Sequence, residues 1–184
     1  NYFELSHTIK RQFKEGVGYQ LYNFVDNHDV DRLASKIGNK ENIFLAYAIL
    51  YTLPGIVSLY NGDEWGAEGI KTGANDSQLR PYYYINDLHI TNEALLEMIK
   101  NLSSMRVKYS DILFDGTIKN ITLENEYFVY ERSLGKKTIR VYLNQGDDSH
   151  NIKGEFTKMI EGKNYSFNKT HNYLLPHGFL IVEV

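Results

Sequence analysis

Two short apolar runs, Leu21 to Val25 and Ile56 to Tyr60, flank a longer stretch, Ile43 to Leu53, that is apolar on nearly every face. The short runs have strand length, and the long one reads as a buried helix ending before Pro54. Together they take up about 40 residues, the size of a βαβ unit, so the two strands are expected to be parallel and adjacent. Each strand runs straight into a polar cluster, Asp26-Asn27-His28-Asp29 after the first and Asn61-Gly62-Asp63-Glu64-Trp65 after the second. In parallel α/β folds the C-terminal ends of strands carry the chemistry. Two acidic clusters are therefore expected to face one mouth.

The flanks complete the plan. Leu5, Ile9 and Phe13 make one apolar stripe of a helix over Tyr2 to Lys14, with Gly16 and Gly18 placed to end it. Gly66 to His89 reads as a long loop, followed by a helix with Leu95, Met98, Ile99, Leu102 and Met105 at helical spacing and Thr91 or Asn92 as its cap. Beyond Tyr109 the pattern changes to short Ile-, Val-, Tyr- and Phe-rich segments between polar turns: Thr117 to Leu123, Glu126 to Arg132, Lys137 to Leu143 and Phe179 to Val184. A hairpin is expected at Leu123 to Glu126 and a second turn at Gly135. The expectation is an α/β part over residues 1–110 and an all-β domain over 111–184.

Composition excludes several classes of function. The 184 residues carry a formal charge of −3 and a pI of about 6.1, with no basic stripe to neutralise a phosphate backbone, so nucleic acid is not an expected partner. No run of about 18 apolar residues exists to span a bilayer. Without cysteine there are no disulfides, thiolate metal sites or cysteine nucleophile. Aromatic residues make up 14% of the chain, which suits flat neutral ligands such as sugar rings and suits core packing equally. Asn1 is not an initiator Met, no signal-peptide pattern follows, and the first residues already read as helix. The chain is expected to begin inside a larger protein, which leaves its compartment unread.

A carboxylate and an imidazole side by side at a strand end, as in His28-Asp29, can hydrogen-bond vicinal hydroxyls, act as acid and base, ligate a metal, or simply form a turn. The whole run decides more than the pair. Asn23 to Arg32, NFVDNHDVDR, resembles the seventh-strand motif of the α-amylase superfamily, glycoside hydrolase family 13: an aromatic residue, two variable positions, then Asn-His-Asp. About 30 residues on, Leu53 to Gly66, LPGIVSLYNGDEWG, is similar to the family's eighth strand, and Leu175 to Glu183, LPHGFLIVE, to the last strand of the antiparallel domain behind its barrel. The resemblance covers nearly the full chain and extends to the family's cyclomaltodextrinase, neopullulanase and related α-glucan-active members.

What the resemblance implies is the C-terminal part of a (β/α)8 TIM barrel, its last two strands and helices, followed by an antiparallel β-sandwich. The implied activity is that of a retaining glycosidase or glycosyl transfer enzyme on α-linked glucose polymers such as maltodextrin, with no metal or cofactor. Such a reaction needs a nucleophilic carboxylate and a general acid across the scissile bond. In the family these are an Asp and a Glu on the fourth and fifth strands, which precede everything in this chain, so the remaining N-terminal part of the barrel is the implied partner and the segment alone is expected to be inactive. Asp29 matches the third acid, which holds ring hydroxyls more tightly as the sugar flattens, and His28 donates to the same hydroxyls.

Other positions carry two readings. Arg32 is either a substrate contact or a local ion pair that holds the loop. Asp63 and Glu64 stand where extra catalytic acids would, yet in the family they organise loops at the mouth. Trp65 is either a sugar platform or packing beneath the loop. Gly73 to Pro81, GANDSQLRP, resembles the family's post-barrel loop, with Arg80 as a subsite residue, although Tyr82, Tyr83 and Tyr84 replace the usual Met and Trp. Two further classes compete with the enzyme reading: a metal-dependent phosphohydrolase built on His28-Asp29, and a non-catalytic carbohydrate-binding or interaction module.

Overall fold

A computed structural model of the chain describes residues 1–15, 19–73, 75–83, 90–168 and 170–184. The expectations for Gly16, Gly18 and Tyr84 lie outside the described residues. The first helix, α1 (Tyr2–Glu15), starts where the Asn1 side chain accepts a hydrogen bond from the Glu4 N–H at 3.0 Å, and its Ile9 and Tyr2 are buried. Strand β1 (Tyr22–Asn23), the short helix α2 (Leu33–Lys36), helix α3 (Asn42–Thr52) and strand β2 (Ile56–Val57) follow. β1 and β2 pair in parallel, Tyr22 opposite Ile56 and Asn23 opposite Val57, as the two apolar runs predict. The strands are shorter than their apolar runs. Their ladder consists of a few main-chain bonds, among them Ile56 N–H to Leu21 O and Ser58 N–H to Asn23 O.

Gly55 sets the close approach of the two strands. It has φ +96°, and a Cβ there would stand 2.3 Å from Leu21 O. Helix α3 is apolar on nearly every face, and eight of its eleven residues are buried: it packs on the last long helix, α4 (Glu93–Lys108), and on the sheet of the second half. Asn92 caps α4 by accepting from Leu95 N–H at 3.0 Å, and the five expected apolar positions face inward.

A helical turn, α5 (Ser110–Asp115), leads into β3 (Thr117–Leu123), β4 (Tyr127–Leu134), β5 (Lys137–Asn144), β6 (His150–Asn151), β7 (Lys158–Phe167) and β8 (Asn172–Glu183). Where the sequence suggested a sandwich, the backbone bonds join these six strands into one antiparallel sheet, because the twelve-residue β8 pairs with β5, β6 and β7. Each face of this sheet carries a core. Phe128, Tyr130, Val141, Phe179 and Ile181 face the helices, while Tyr127, Val129, Tyr142, Leu180 and Val182 pack on the other side with Leu174 and Ile152. Burial on both faces explains why Phe179 to Val182 is an unbroken apolar run.

Strand β7 was not legible in the sequence. Its residues Lys158 to Phe167 have no apolar alternation, and its pairing with β8 is broken twice, once at Asn164, which adopts φ +53°. The Gly135 turn is as expected, with φ +59° in a two-residue hairpin between β4 and β5.

Two buried guanidiniums tie down the end of α3, and one of them, Arg132, also joins the halves through Thr52. Arg106 of α4 donates to the carbonyls of Tyr51, Leu53 and Gly55, and Arg132 of β4 to those of Thr52, Ile112, Leu113, Gly116 and Thr117. Tyr51, Thr52 and Leu53 are carbonyls that the C-terminus of α3 leaves without helical partners, Gly55 immediately precedes β2, and the others lie at the end of α5 and the start of β3. Burial lowers Arg132 to about 10, so it keeps its proton at neutral pH.

Candidate active site

The loop after β1 is closed at its base. Asp26, 2% exposed, accepts a hydrogen bond from Leu33 N–H at 2.5 Å and lies 3.4 Å from Arg32 Nε. At the tip, Asn27 Oδ1 accepts from Asp29 N–H at 2.8 Å, an Asx turn that follows from the Asn two residues before. His28 Nε2 stands 3.3 Å from Asp29 Oδ2, with side chains 44% and 65% exposed. These are the two groups the sequence singled out most strongly, and they lie together above the C-terminal end of a parallel strand.

Around them the long loop contributes charge. Arg80 Nη2 is 3.7 Å from Asp29 Oδ1, and its Nε donates to Asp76 Oδ2 at 2.5 Å. That hydrogen bond holds the Asp76 carboxyl below its ordinary range. Lys71 donates from Nζ to Asp29 O at 2.9 Å, and its own N–H donates to Asp31. Lys71 and Asp76 were not singled out from the sequence. The Asp76–Arg80 spacing of four in a turn was the available signal for one of them.

Arg32 and Trp65 are placed differently. Arg32 is 1% exposed, its Nη2 donating to Asp63 Oδ1 at 3.0 Å and to Asn61 O at 2.9 Å, with its guanidinium 4.6 Å from the Tyr60 ring centre. Of the two readings of Arg32, this is the geometry of an ion pair that holds loops. Trp65 is 7% exposed, edge-on to Tyr83 at 5.2 Å, its carbonyl held by Thr91. Trp65 and Tyr83 line a cavity of about 800 Å³ with Ser35, Ile70 and Gln78, and neither His28 nor Asp29 lines it. Among the described residues, then, His28, Asp29 and Arg80 come together at the surface, and Arg32 and Trp65 lie beneath.

Asp63 also organises its loop, accepting from Tyr60 N–H at 3.0 Å, while Glu64 accepts from Gly62 N–H. Burial, helped by the nearby Asp26 charge, pushes Asp63 up to about 7. Among the described residues no group of three or more His, Asp and Glu is arranged to hold a metal ion, and no helix is long and apolar enough to cross a membrane.

Residues 1–104, which include both strands and every residue of this site, match the family model described as alpha amylase, catalytic domain. The chain belongs to the alpha-amylase family. A cyclomaltodextrin glucanotransferase of Geobacillus stearothermophilus is 30% identical over 140 residues, 76% of this chain and 19% of that protein. A 4-alpha-glucanotransferase of Thermotoga maritima is 47% identical over 85 residues, 37% of this chain and 19% of that protein. Among solved structures, a cyclomaltodextrin glucanotransferase with a three-domain ABC distribution aligns with a TM-score of 0.75 at 24% identity, covering 99% of this chain and 40% of the other. That likeness extends the shared fold of this alpha-amylase family chain through its antiparallel sheet. The chain spans about a fifth of the length of the curated relatives it matches.

Proposed function

We propose that the chain is the C-terminal portion of a retaining alpha-amylase-family enzyme acting on α-glucosidic bonds of starch-derived oligosaccharides. Residues 1–110 supply the last two strands and helices of an eight-stranded parallel barrel, and residues 111–184 the antiparallel domain behind it. Such a barrel typically needs about 250 residues. The parallel pair β1 and β2 leaves Tyr22, Phe24 and Ile56 exposed, and an apolar groove of about 580 Å³ lined by Ile56, Val57, Leu59, Val107 and Phe114 opens beside β2. Parallel sheets are normally covered on both faces. The remaining N-terminal part of the barrel is the partner that covers these surfaces, and it brings the nucleophile Asp and the general acid Glu.

Asp29 hydrogen-bonds hydroxyls of the sugar at the cleavage point more tightly as the ring flattens toward an oxocarbenium-like state, and His28 donates to the same hydroxyls. Arg80, paired with Asp76, forms the adjoining wall. The observation that carries the reading is the open His28–Asp29 pair, 3.3 Å apart at the end of a parallel strand. Relatives named as glucanotransferases and as an alpha-amylase share the α-glucan chemistry in their names, so the acceptor in this enzyme is either water or a second sugar.

The test is Asp29→Asn in the longer enzyme that contains this chain. Turnover of maltodextrin is expected to fall by about 100-fold or more, as when a donor or acceptor to a transition-state charge is removed, with the melting temperature unchanged. A near-normal rate sinks the reading.

A further inference from the structure

Among the described residues, Asp29 has no rigid side-chain partner of its own. His28 and Arg80, its neighbours at 3.3 and 3.7 Å, are themselves 44% and 49% exposed. A group that stabilises a transition state has to be held to within about 0.5 Å, and exposed side chains do not hold one another that closely. The rigidity has to come from the loop that carries Asp29, and so from the base of that loop.

At the base stands Arg32. Its Nε faces Asp26 Oδ1 at 3.4 Å, an ionic contact that closes the loop together with the Leu33 N–H to Asp26 bond. The same guanidinium reaches out of its loop to Asp63 Oδ1 and Asn61 O beyond β2, and the Arg32 N–H donates to Gly69 O at 2.9 Å. One side chain thus registers the loop holding Asp29 against the loops that follow the neighbouring strand.

The packing around the guanidinium is close. A Cβ on Gly69 would lie 3.1 Å from Arg32 Cγ, and one on Gly62 would lie 3.2 Å from Arg32 Nη2. A planar, permanently charged fork with donors on two edges can serve two carboxylates at once, which an ammonium cannot do with the same geometry. At 1% exposure Arg32 offers no surface to a sugar arriving from solvent.

We propose that Arg32 is a positioning residue: clamped between Asp26 and Asp63, it sets where the Asp29 carboxylate stands, and it acts on the reaction through Asp29 and not by touching substrate. This rests on the reading of Asp29 as the transition-state-stabilising acid. A contact residue and a positioning residue differ in what their removal changes. Loss of a contact weakens substrate binding, whereas loss of position lowers the rate of the bound complex and matters only while Asp29 is there to be positioned.

The experiment is a double-mutant cycle in the longer enzyme, with an aryl α-maltooligosaccharide as substrate: Arg32→Gln, Asp29→Asn, and both. Arg32→Gln is expected to lower kcat by about 100-fold with KM little changed, the size of effect that a displacement of about 1 Å produces. In the Asp29→Asn background the same change is expected to cost less than about threefold, because the two losses are one loss. Arg32→Lys, which keeps a cation between the carboxylates, is expected to show an intermediate kcat with the same non-additivity, and it carries the test where the glutamine variant is not recovered folded.

A raised KM with intact kcat, or equal losses in both backgrounds, overturns the proposal. A crippled Asp29→Asn enzyme alongside a near-normal Arg32→Gln enzyme overturns it while leaving the reading of Asp29 standing. A near-normal Asp29→Asn enzyme overturns both.

Discussion

Arg32 Nη2 lies 3.0 Å from Asp63 Oδ1, and both side chains are almost completely buried, at 1% and 2% exposure. With Asp26 beside them the cluster holds two carboxyls and one guanidinium, an excess of one acid in a dry place. Its response to pH follows from that imbalance.

Burial and the Asp26 charge push Asp63 from the ordinary carboxylate range up to about 7. Between those values the native chain holds a proton that the unfolded chain has released, so stability falls as pH rises through that window. The unfolding free energy of the chain, read from urea denaturation, is expected to be higher at pH 5.5 than at pH 8. Asp63→Asn is expected to flatten the dependence. An equally steep profile in that variant would place the proton elsewhere.

Arg132→Met is expected to destabilise the chain by about 3 kcal/mol or more, because several buried carbonyls lose their donors together. Arg132 reaches Thr52 O at 2.7 Å and Gly116 O at 2.9 Å, and its hydrogen-bond acceptors among the described residues are all carbonyls, so these contacts are hydrogen bonds and not ion pairs. Arg132→Lys should recover only part of the loss, since one ammonium cannot span the same carbonyls. Thermal unfolding measures both, and a melting temperature near that of the parent for Arg132→Met contradicts the assignment.

His177 ties the start of α3 to the sheet. Its ring nitrogens lie 3.0 Å from Asn42 Oδ1, 2.9 Å from Asn39 Nδ2 and 3.1 Å from Asp147 Oδ1, and its backbone adopts φ +52°. His177→Asn tolerates that φ and should cost about 1 kcal/mol in lost hydrogen bonds. His177→Val adds backbone strain and should cost roughly 1–3 kcal/mol more. Equal denaturation midpoints for the two variants would show that the left-handed conformation is not under load.

The purified 184-residue chain is expected to release no reducing sugar from maltodextrin, because its proposed role supplies Asp29 without the nucleophile or the acid. Release that Asp29→Ala abolishes would contradict this.

The parts that were legible in the sequence are those where one local pattern has one physical meaning. Leu95, Met98, Ile99, Leu102 and Met105 at helical spacing gave α4, and the nearly all-apolar Ile43 to Leu53 gave a mostly buried helix. The Asn-His-Asp run marked the strand end where His28 and Asp29 meet. Strand β7 escaped because its pairing is made by main-chain bonds to β8, while its side chains, half-buried and mixed in polarity, keep no period.

The site divides in the same way. Residue type and spacing by themselves determined that Asp29 and His28 lie together, because adjacent residues at a turn cannot be far apart. That Arg32 meets the Asp63 carboxylate was decided only by the tertiary structure: this partner lies 31 residues away, brought near by the parallel pairing of β1 with β2. Burial likewise belongs to the folded chain. Trp65 has the chemistry of a sugar platform in any sequence, and it packs against Tyr83 here because the long loop folds back over it. A local pattern sets which groups are adjacent along the chain, and long-range packing sets which of them water and substrate can reach.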